Sequence, residues 1–376
     1  MEPDKPPRPR YSGTVTKILI IKPSSLGDVV HALPTVNRIR QRFPDAQISW
    51  LINDTHAPLL KHSAIIDELI EFPRAEFSSP THALRLLAFL RQLRARRFDL
   101  VIDLQGLLRS GLMTWATGAP RRLGRSDARE GAHFAYTEIV TVPDSQMPGT
   151  IPRQVAPSTR GPGNIHAVDR YLLIADYLEC PPLPVSFPLG RDDVNRRAVD
   201  ALLATAPSVA EHAARGRLIA VNPSARWPTK LWGDESFRAL LGQLPRDRVV
   251  LTGSNSEAAH VTAIAGGCLN LAGKTSVMEL VELLRRCAVL VTGDSGPMHL
   301  AVAVGTPVVA IFGPTDPVLT GPYGQGHVIL RADVPCSPCL KASCANPKTM
   351  ECMKLVTVEQ VRAAVEPFLN RQGSVR

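Results

Sequence analysis

Lys17-Ile-Leu-Ile-Ile-Lys22-Pro-Ser-Ser-Leu-Gly-Asp28-Val-Val-His31-Ala-Leu-Pro34 opens the patterned part of the chain and decides its class. Ile18–Ile21 form an apolar run, three of its four residues β-branched, which suits a buried strand. A small-residue turn follows, and from Val29 to Arg42 the apolar residues return at helical spacing. Strand, short turn and helix make the repeating unit of parallel α/β folds. The unit recurs, with strands predicted at 47–52, 68–72 and 99–104 and helices at 82–96 and 107–117. A second series has strands at 217–222, 248–252, 269–272, 288–292 and 307–312. Its helices fall at 234–244, 257–265, 277–286 and 298–304. Two Rossmann-like halves in tandem are expected.

The boundaries follow from composition. Residues 1–16 are rich in Pro and charge and read as a disordered lead-in. Residues 17–182 form the first domain, with a Pro-, Gly- and Ser-rich mobile loop at 143–163 and a helix at 166–178. The Pro-rich stretch 183–192 is the linker, 193–353 the second domain, and 354–376 a terminal helix that is a candidate for packing back on the first domain.

The chain has 376 residues with a formal net charge of +9, a balance that favours an anionic partner. Its excess Arg is spread along the sequence and aromatic residues are only 5%, so nucleic acid is not the first choice. No run approaches the ~20 apolar residues of a membrane span. The opening ten residues do not read as a secretory signal, and seven Cys, an odd number, point to a reducing cytoplasm.

Parallel sheets bind ligands beyond the carboxyl ends of their strands, so the strand-to-helix turns carry the candidate chemistry. In the first, Asp28 stands near a helix start whose dipole favours its ionised form. By residue type alone it reads as a capping acid; facing a cleft, it is a general base. In the turn Gly293-Asp294-Ser295-Gly296-Pro297-Met298-His299, small residues and free N–H groups suit a diphosphate. Asp294 reads as an acceptor for sugar hydroxyls or as a brace for the loop, and a plain capped helix is an equal reading. The turn Asn222-Pro-Ser224-Ala-Arg226-Trp-Pro-Thr-Lys230 offers two cations to a leaving diphosphate, Lys230 first and Arg226 second. A solvated loop is the plainer reading.

Two motifs fail. Gly267–Thr275 imitates a phosphate-binding P-loop with the wrong glycine spacing, and no G-x-G-x-x-G follows the first strand. Cys336, Cys339, Cys344 and Cys352 have a spacing that can hold a structural zinc, with free thiols as the other reading. Arg85, Arg91, Arg94, Arg96 and Arg97 on the second helix read as a solvated face. Arg121, Arg122, Arg125 and Arg129 follow the fourth strand unit, near the expected cleft, where they suit an acidic acceptor or anionic lipid.

These turns together resemble glycosyltransferase family 9, the ADP-heptose:lipopolysaccharide heptosyltransferases. The resemblance rests on the opening stretch from Lys22 to Pro34, on Asp103-Leu-Gln105-Gly106, on Asn270-Leu-Ala-Gly-Lys-Thr275, and on Asp294–His299 through Phe312-Gly-Pro-Thr-Asp316-Pro. It covers the chain from Lys17 to about Gly324, and its opening motif is most similar to heptosyltransferases that add the first heptose. The resemblance implies a GT-B fold with inversion at the anomeric carbon and no required cofactor or catalytic metal. It implies Asp28 as catalytic base and ADP-heptose as donor, bound by Ser224, Arg226, Lys230, Glu257, Asp294, Ser295, Gly296 and His299. It implies an acceptor on Kdo-bearing lipid A, met by Ser25, Gly27, His31 and Gln105, with Arg121, Arg122 and Arg125 facing its acidic groups. The setting would be the cytoplasmic face of the inner membrane, touched peripherally. The competing readings are a later-step core heptosyltransferase, a nucleotide-sugar 2-epimerase of the same architecture, and a non-catalytic two-lobed binding protein.

Overall fold

The computed structural model describes residues 15–72, 83–143 and 165–369. Strands β1 (Lys17–Ile21), β2 (Gln47–Asn53), β3 (Glu68–Phe72), β4 (Leu100–Asp103), β5 (Arg121–Arg125) and β6 (Glu138–Val140) form one sheet, in the order β3-β2-β1-β4-β5-β6. The second sheet is built from β7 (Leu218–Asn222), β8 (Val249–Leu251), β9 (Leu269–Asn270), β10 (Cys287–Gly293), β11 (Val308–Phe312) and β12 (Val328–Arg331), in the order β12-β11-β10-β7-β8-β9. All pairings are parallel, with Ile20 opposite both Trp50 and Ile102, and Thr292 opposite both Asn222 and Ala310. Two doubly wound sheets with helices make this an α/β protein of GT-B architecture.

The central strands are apolar throughout because helices cover both faces. Ile18–Ile21, Leu100–Ile102 and Leu218–Val221 are completely buried. Strand order reverses between β1 and β4 in the first sheet and between β7 and β10 in the second. Beyond such a switch point the flanking helices diverge and leave a crevice. The loops after β1, β4, β7 and β10 therefore occupy the binding edge of each half. They carry most of the candidate site residues.

The two halves touch. The helix Leu26–Arg42 packs against the helix Ala167–Tyr177 and against the helix Gly296–Ala303 of the second half, and one apolar cluster runs through residues of both. The terminal helix Val358–Leu369 does not return to the first domain. Val361, Val365 and Phe368 bury into the core of the second sheet, against the helix Asp234–Gln243 and strands β10 to β12.

Three strands escape the sequence reading. β5 is Arg-Arg-Leu-Gly-Arg, whose three cations hide its strand character. Arg121 forms a two-pronged pair with Glu138, 2.7 and 2.8 Å, and Arg122 donates to the carbonyls of Ala135 and Ala119, so both charges are taken up at the amino end of the strand. β6 and β12 are short edge strands with no clear alternation. The helices Asp193–Ala204 and Pro207–Ala214 lie just past the Pro-rich linker and were also missed. The loop expected at 143–163 falls outside the described residues except for Pro143, as does the lead-in 1–16 except for Val15 and Thr16.

Candidate active site

Asp28 is the third residue of the helix Leu26–Arg42, one turn earlier than the sequence pattern placed the helix start. Its Oδ2 accepts from the Ser25 N–H (3.1 Å) and the Ser25 hydroxyl (2.9 Å), and Lys22 Nζ stands 3.8 Å away. Its other oxygen receives only the long Tyr171 hydroxyl contact at 3.5 Å. Burial works to raise the Asp28 pKa. Lys22, the two Ser25 donors and His299 outweigh it, and the carboxyl sits below its ordinary 3.8. The side chain remains 39% exposed, so it is both a helix brace and an ionised acceptor open to a ligand.

The loop after β1 is fixed from below. The buried Trp50 donates from its indole to the Lys22 carbonyl at 3.1 Å, and the Asn53 N–H reaches the Pro23 carbonyl. Tyr171, fully inside the first domain, lies between two cations: Lys22 Nζ is 5.3 Å from its ring centre and the Arg125 guanidinium 4.8 Å. Neither Lys22 nor Tyr171 was singled out in the sequence. Lys22 stood in the opening motif, whereas a tyrosine inside an amphipathic helix gives no signal of its own.

On the second domain, Lys230 Nζ donates to Asp294 Oδ2 at 2.7 Å and lies 4.7 Å over the Trp227 ring. These residues come from the loops after β7 and β10, neighbours at the switch point. Asn222, at the end of β7, ties the loops together by donating to the Ser224 carbonyl (2.9 Å), Thr292 Oγ1 and Ser295 Oγ. Ser295 N-caps the helix Gly296–Ala303, with Pro297 at its first turn, where a missing N–H leaves nothing unsatisfied.

Across the domain junction His31 Nε2 and His299 Nδ1 are hydrogen-bonded at 2.9 Å, and His166 stands edge-on to His31 with ring centres 5.3 Å apart. His31 Nδ1 is buried without a hydrogen-bond partner. Burial lowers both the His31 and His299 pKa values from 6.5, His31 well below it. For His299 the neighbouring Asp294 and Asp28 oppose the burial, so the acids of both domains act on this one ring.

Glycine makes the junction this close. A Cβ at Gly27 would stand 2.4 Å from His299 Cδ2, and one at Gly296 2.9 Å from Leu26 Cδ2. Gly27→Ala should therefore force the two helix starts apart. We expect a loss of about 1–3 kcal/mol in thermal or denaturant unfolding, typical of overpacking, together with reduced turnover. An alanine variant as stable and as active as the parent would mean that the junction yields freely.

The remaining candidates fall into separate groups. Asp103, buried at the end of β4, accepts from the N–H groups of Gln105 and Gly106 and from the hydroxyls of Ser110 and Tyr136. It shapes the loop, and Gln105 Oε1 is left buried without a partner. Arg121 and Arg122 are engaged at the amino end of β5, away from the carboxyl-end cleft expected for them, whereas Arg125 pairs with Asp127 at 2.9 Å beside Tyr171. Glu257 braces its own short helical turn through Ser254 N at 2.7 Å, next to Gly253 after β8. Arg226 is exposed. Cys336, Cys339, Cys344 and Cys352 all line one cavity of about 530 Å³ in the second domain. Among the described residues, however, no three His, Cys, Asp or Glu side chains are gathered as a metal would hold them.

Known proteins resemble the chain in sequence and in fold. The sequence profile of Glycosyltransferase family 9 (heptosyltransferase) matches residues 86–350. Lipopolysaccharide heptosyltransferase 1 of Pseudomonas aeruginosa is 30% identical over 95% of this chain and 95% of its own length. The structure of E. coli heptosyltransferase WaaC with ADP superposes with a TM-score of 0.70 at 24% identity, covering 94% of this chain and 100% of that one. The same enzyme with ADP-2-deoxy-2-fluoro heptose gives 0.66, covering 94% and 99%. The chain belongs to glycosyltransferase family 9, the heptosyltransferases, and is a glycosyltransferase.

Proposed function

We propose that the chain transfers heptose from ADP-L-glycero-D-manno-heptose to a Kdo-bearing inner-core acceptor of lipopolysaccharide, with inversion at the anomeric carbon. One observation carries the reading. An ionised, half-open carboxylate at Asp28 on one domain and the Lys230–Asp294 pair on the other both act electrostatically on a single buried imidazole, His299, at the domain junction. A base and a diphosphate site on opposite walls are what direct displacement needs.

In this mechanism the acceptor hydroxyl attacks the anomeric carbon while Asp28 takes its proton. The bond from that carbon to the diphosphate oxygen breaks, its electron pair leaves with ADP, and the new glycosidic bond forms on the opposite face. Lys230 and the N–H groups at the start of the helix Gly296–Ala303 stabilise the charge growing on the departing diphosphate. Asp294 aims Lys230 and receives hydrogen bonds from the sugar; Ser224, Arg226, Ser295 and Glu257 complete the donor side. Ser25, Gly27, His31 and Gln105 line the acceptor side, and Arg125, at the carboxyl end of β5, lies toward its acidic groups; Arg121 and Arg122, at the amino end of that strand and held by Glu138 and backbone carbonyls, drop out of the acceptor site. The ADP and ADP-sugar carried by the structurally similar enzyme, and the name of the P. aeruginosa relative, support the donor and the acceptor class. A lipid-linked acceptor sets the reaction at the cytoplasmic face of the inner membrane.

The test is ADP release from ADP-heptose with and without Kdo-bearing lipid A. Release that depends on the acceptor is the expected result. Release only with an acceptor already carrying heptose would assign a later core step. Loss of the donor's configuration without any acceptor would indicate an epimerase and overturn the proposal.

A further inference from the structure

The helices Ala83–Ala95 and Leu108–Ala116 lie side by side on one face of the first sheet. Their inward side chains, among them Leu93 and Met113, share a core with Leu19, Ile21 and Val101. That leaves the opposite side of each helix facing outward in the same direction. The outward row of the first carries Leu84 (81% exposed) and Leu87, and that of the second Leu108 (53%) and Trp115 (57%). Leu84 and Leu87, and likewise Leu108 and Trp115, are spaced three and seven residues apart, so each pair runs along a single helix face.

Within the two helices the charges have one sign. Neither helix contains an Asp or a Glu, while Arg85, Arg91, Arg94 and Arg109 are exposed. Glu130, at the edge of this layer, is turned onto the backbone, its Oε2 accepting from Leu108 N at 3.2 Å. The sequence alone makes this a solvated basic face. The structure adds the outward leucines and tryptophan, which a merely solvated face does not need. Arginines flanking exposed leucine and an indole match the headgroup layer of an anionic bilayer, where apolar side chains insert and guanidinium groups meet phosphates. A second copy of the chain fits poorly, because a symmetric contact through this face would oppose its arginines.

The position is also suited to that partner. Each helix follows one strand and leads to the next parallel strand, so both begin at the carboxyl edge of the sheet. Leu84 and Leu108, at the helix starts, therefore lie at the same end of the domain as the loop that carries Asp28.

We propose that the paired outer face of helices Ala83–Ala95 and Leu108–Ala116 is a docking surface for anionic lipid bilayers. It holds the chain with its cleft mouth at the level of the headgroups. This assignment stands on the surface chemistry and does not depend on which sugar is transferred.

The test is flotation of the purified chain with vesicles. The chain should rise with phosphatidylcholine vesicles containing phosphatidylglycerol, be left behind by phosphatidylcholine alone, and be released by added salt. Leu84→Asp combined with Trp115→Asp should lower the partition coefficient by about tenfold or more, from lost apolar insertion. Arg85→Ser and Arg91→Ser should lower it by about fivefold each. All of these positions are on the surface, so circular dichroism and thermal melting should match the parent and separate lost docking from lost folding. A parent chain that ignores anionic vesicles would overturn the proposal, as would aspartate variants that float like the parent. So would a dimer in sedimentation equilibrium that the aspartates dissociate, which would give the face to self-association.

Discussion

Asp28→Asn should lower kcat by about 10³-fold, the middle of the range for a positioned general base, while donor affinity stays within about twofold. The amide keeps an oxygen able to accept from the Ser25 N–H, so the helix start survives and the loss falls on chemistry. Melting should fall modestly, because a first-turn acid contributes about 0.3–1 kcal/mol through the helix dipole and the buried Lys22 loses its carboxylate neighbour. The pH profile gives a second readout. Because the Asp28 pKa lies below 3.8, the carboxylate is ionised at neutral pH, and its contribution is lost only as pH falls through that depressed value. The acid limb of kcat/KM in the parent should therefore not appear between pH 7 and ordinary carboxylate values; a limb near 6 would point to a histidine instead. An asparagine variant with the parent's kcat would reduce Asp28 to a helix cap.

Lys230→Ala should cost about 10²–10³-fold in kcat, the loss expected when a preorganised group facing a developing anion is removed. It should also destabilise the second domain, because Asp294, only 9% exposed at its side chain, loses its 2.7 Å ion partner. The two effects can be separated. Adding Asp294→Asn removes the stranded charge, so the double variant should regain much of the stability and none of the turnover. If the double variant recovers activity as well, Lys230 serves the fold and some other cation meets the diphosphate.

The parts of the site that were legible in the sequence are those where backbone geometry and chemistry coincide. The turns after β1, β7 and β10 combine a β-branched run, small residues and a helix start, and the structure gathers them at the two switch points. Asp28 was visible for that reason, although the helix begins at Leu26 and not Val29. The small residues that blurred that boundary, Gly27 above all, are the ones the domain junction requires. Other features depend on partners distant in sequence. The pairing of Arg121 with Glu138 fits an apparent basic cluster into a strand between β4 and β6, and the contact between His31 and His299 spans 268 positions. Periodicity has no means of expressing either. The same holds for the terminal helix, whose apolar face was plain in the sequence but whose choice of sheet was not.

The His31–His299 contact has a consequence for the proton inventory of the molecule. A hydrogen bond between two ring nitrogens needs a hydrogen on one and a bare lone pair on the other, so a doubly protonated pair has nothing to share. Burial keeps both rings neutral in the closed junction, whereas in water each would take up a proton near pH 6.5. Separating the halves in acid therefore absorbs protons that the closed form does not hold. The sign is fixed: parting becomes easier as pH falls from 6.5 toward each ring's depressed value and gains nothing further below it, so His31, lowered further, acts over the wider span. The two lobes are held by a clasp that is fastened at neutrality and worked loose by acid.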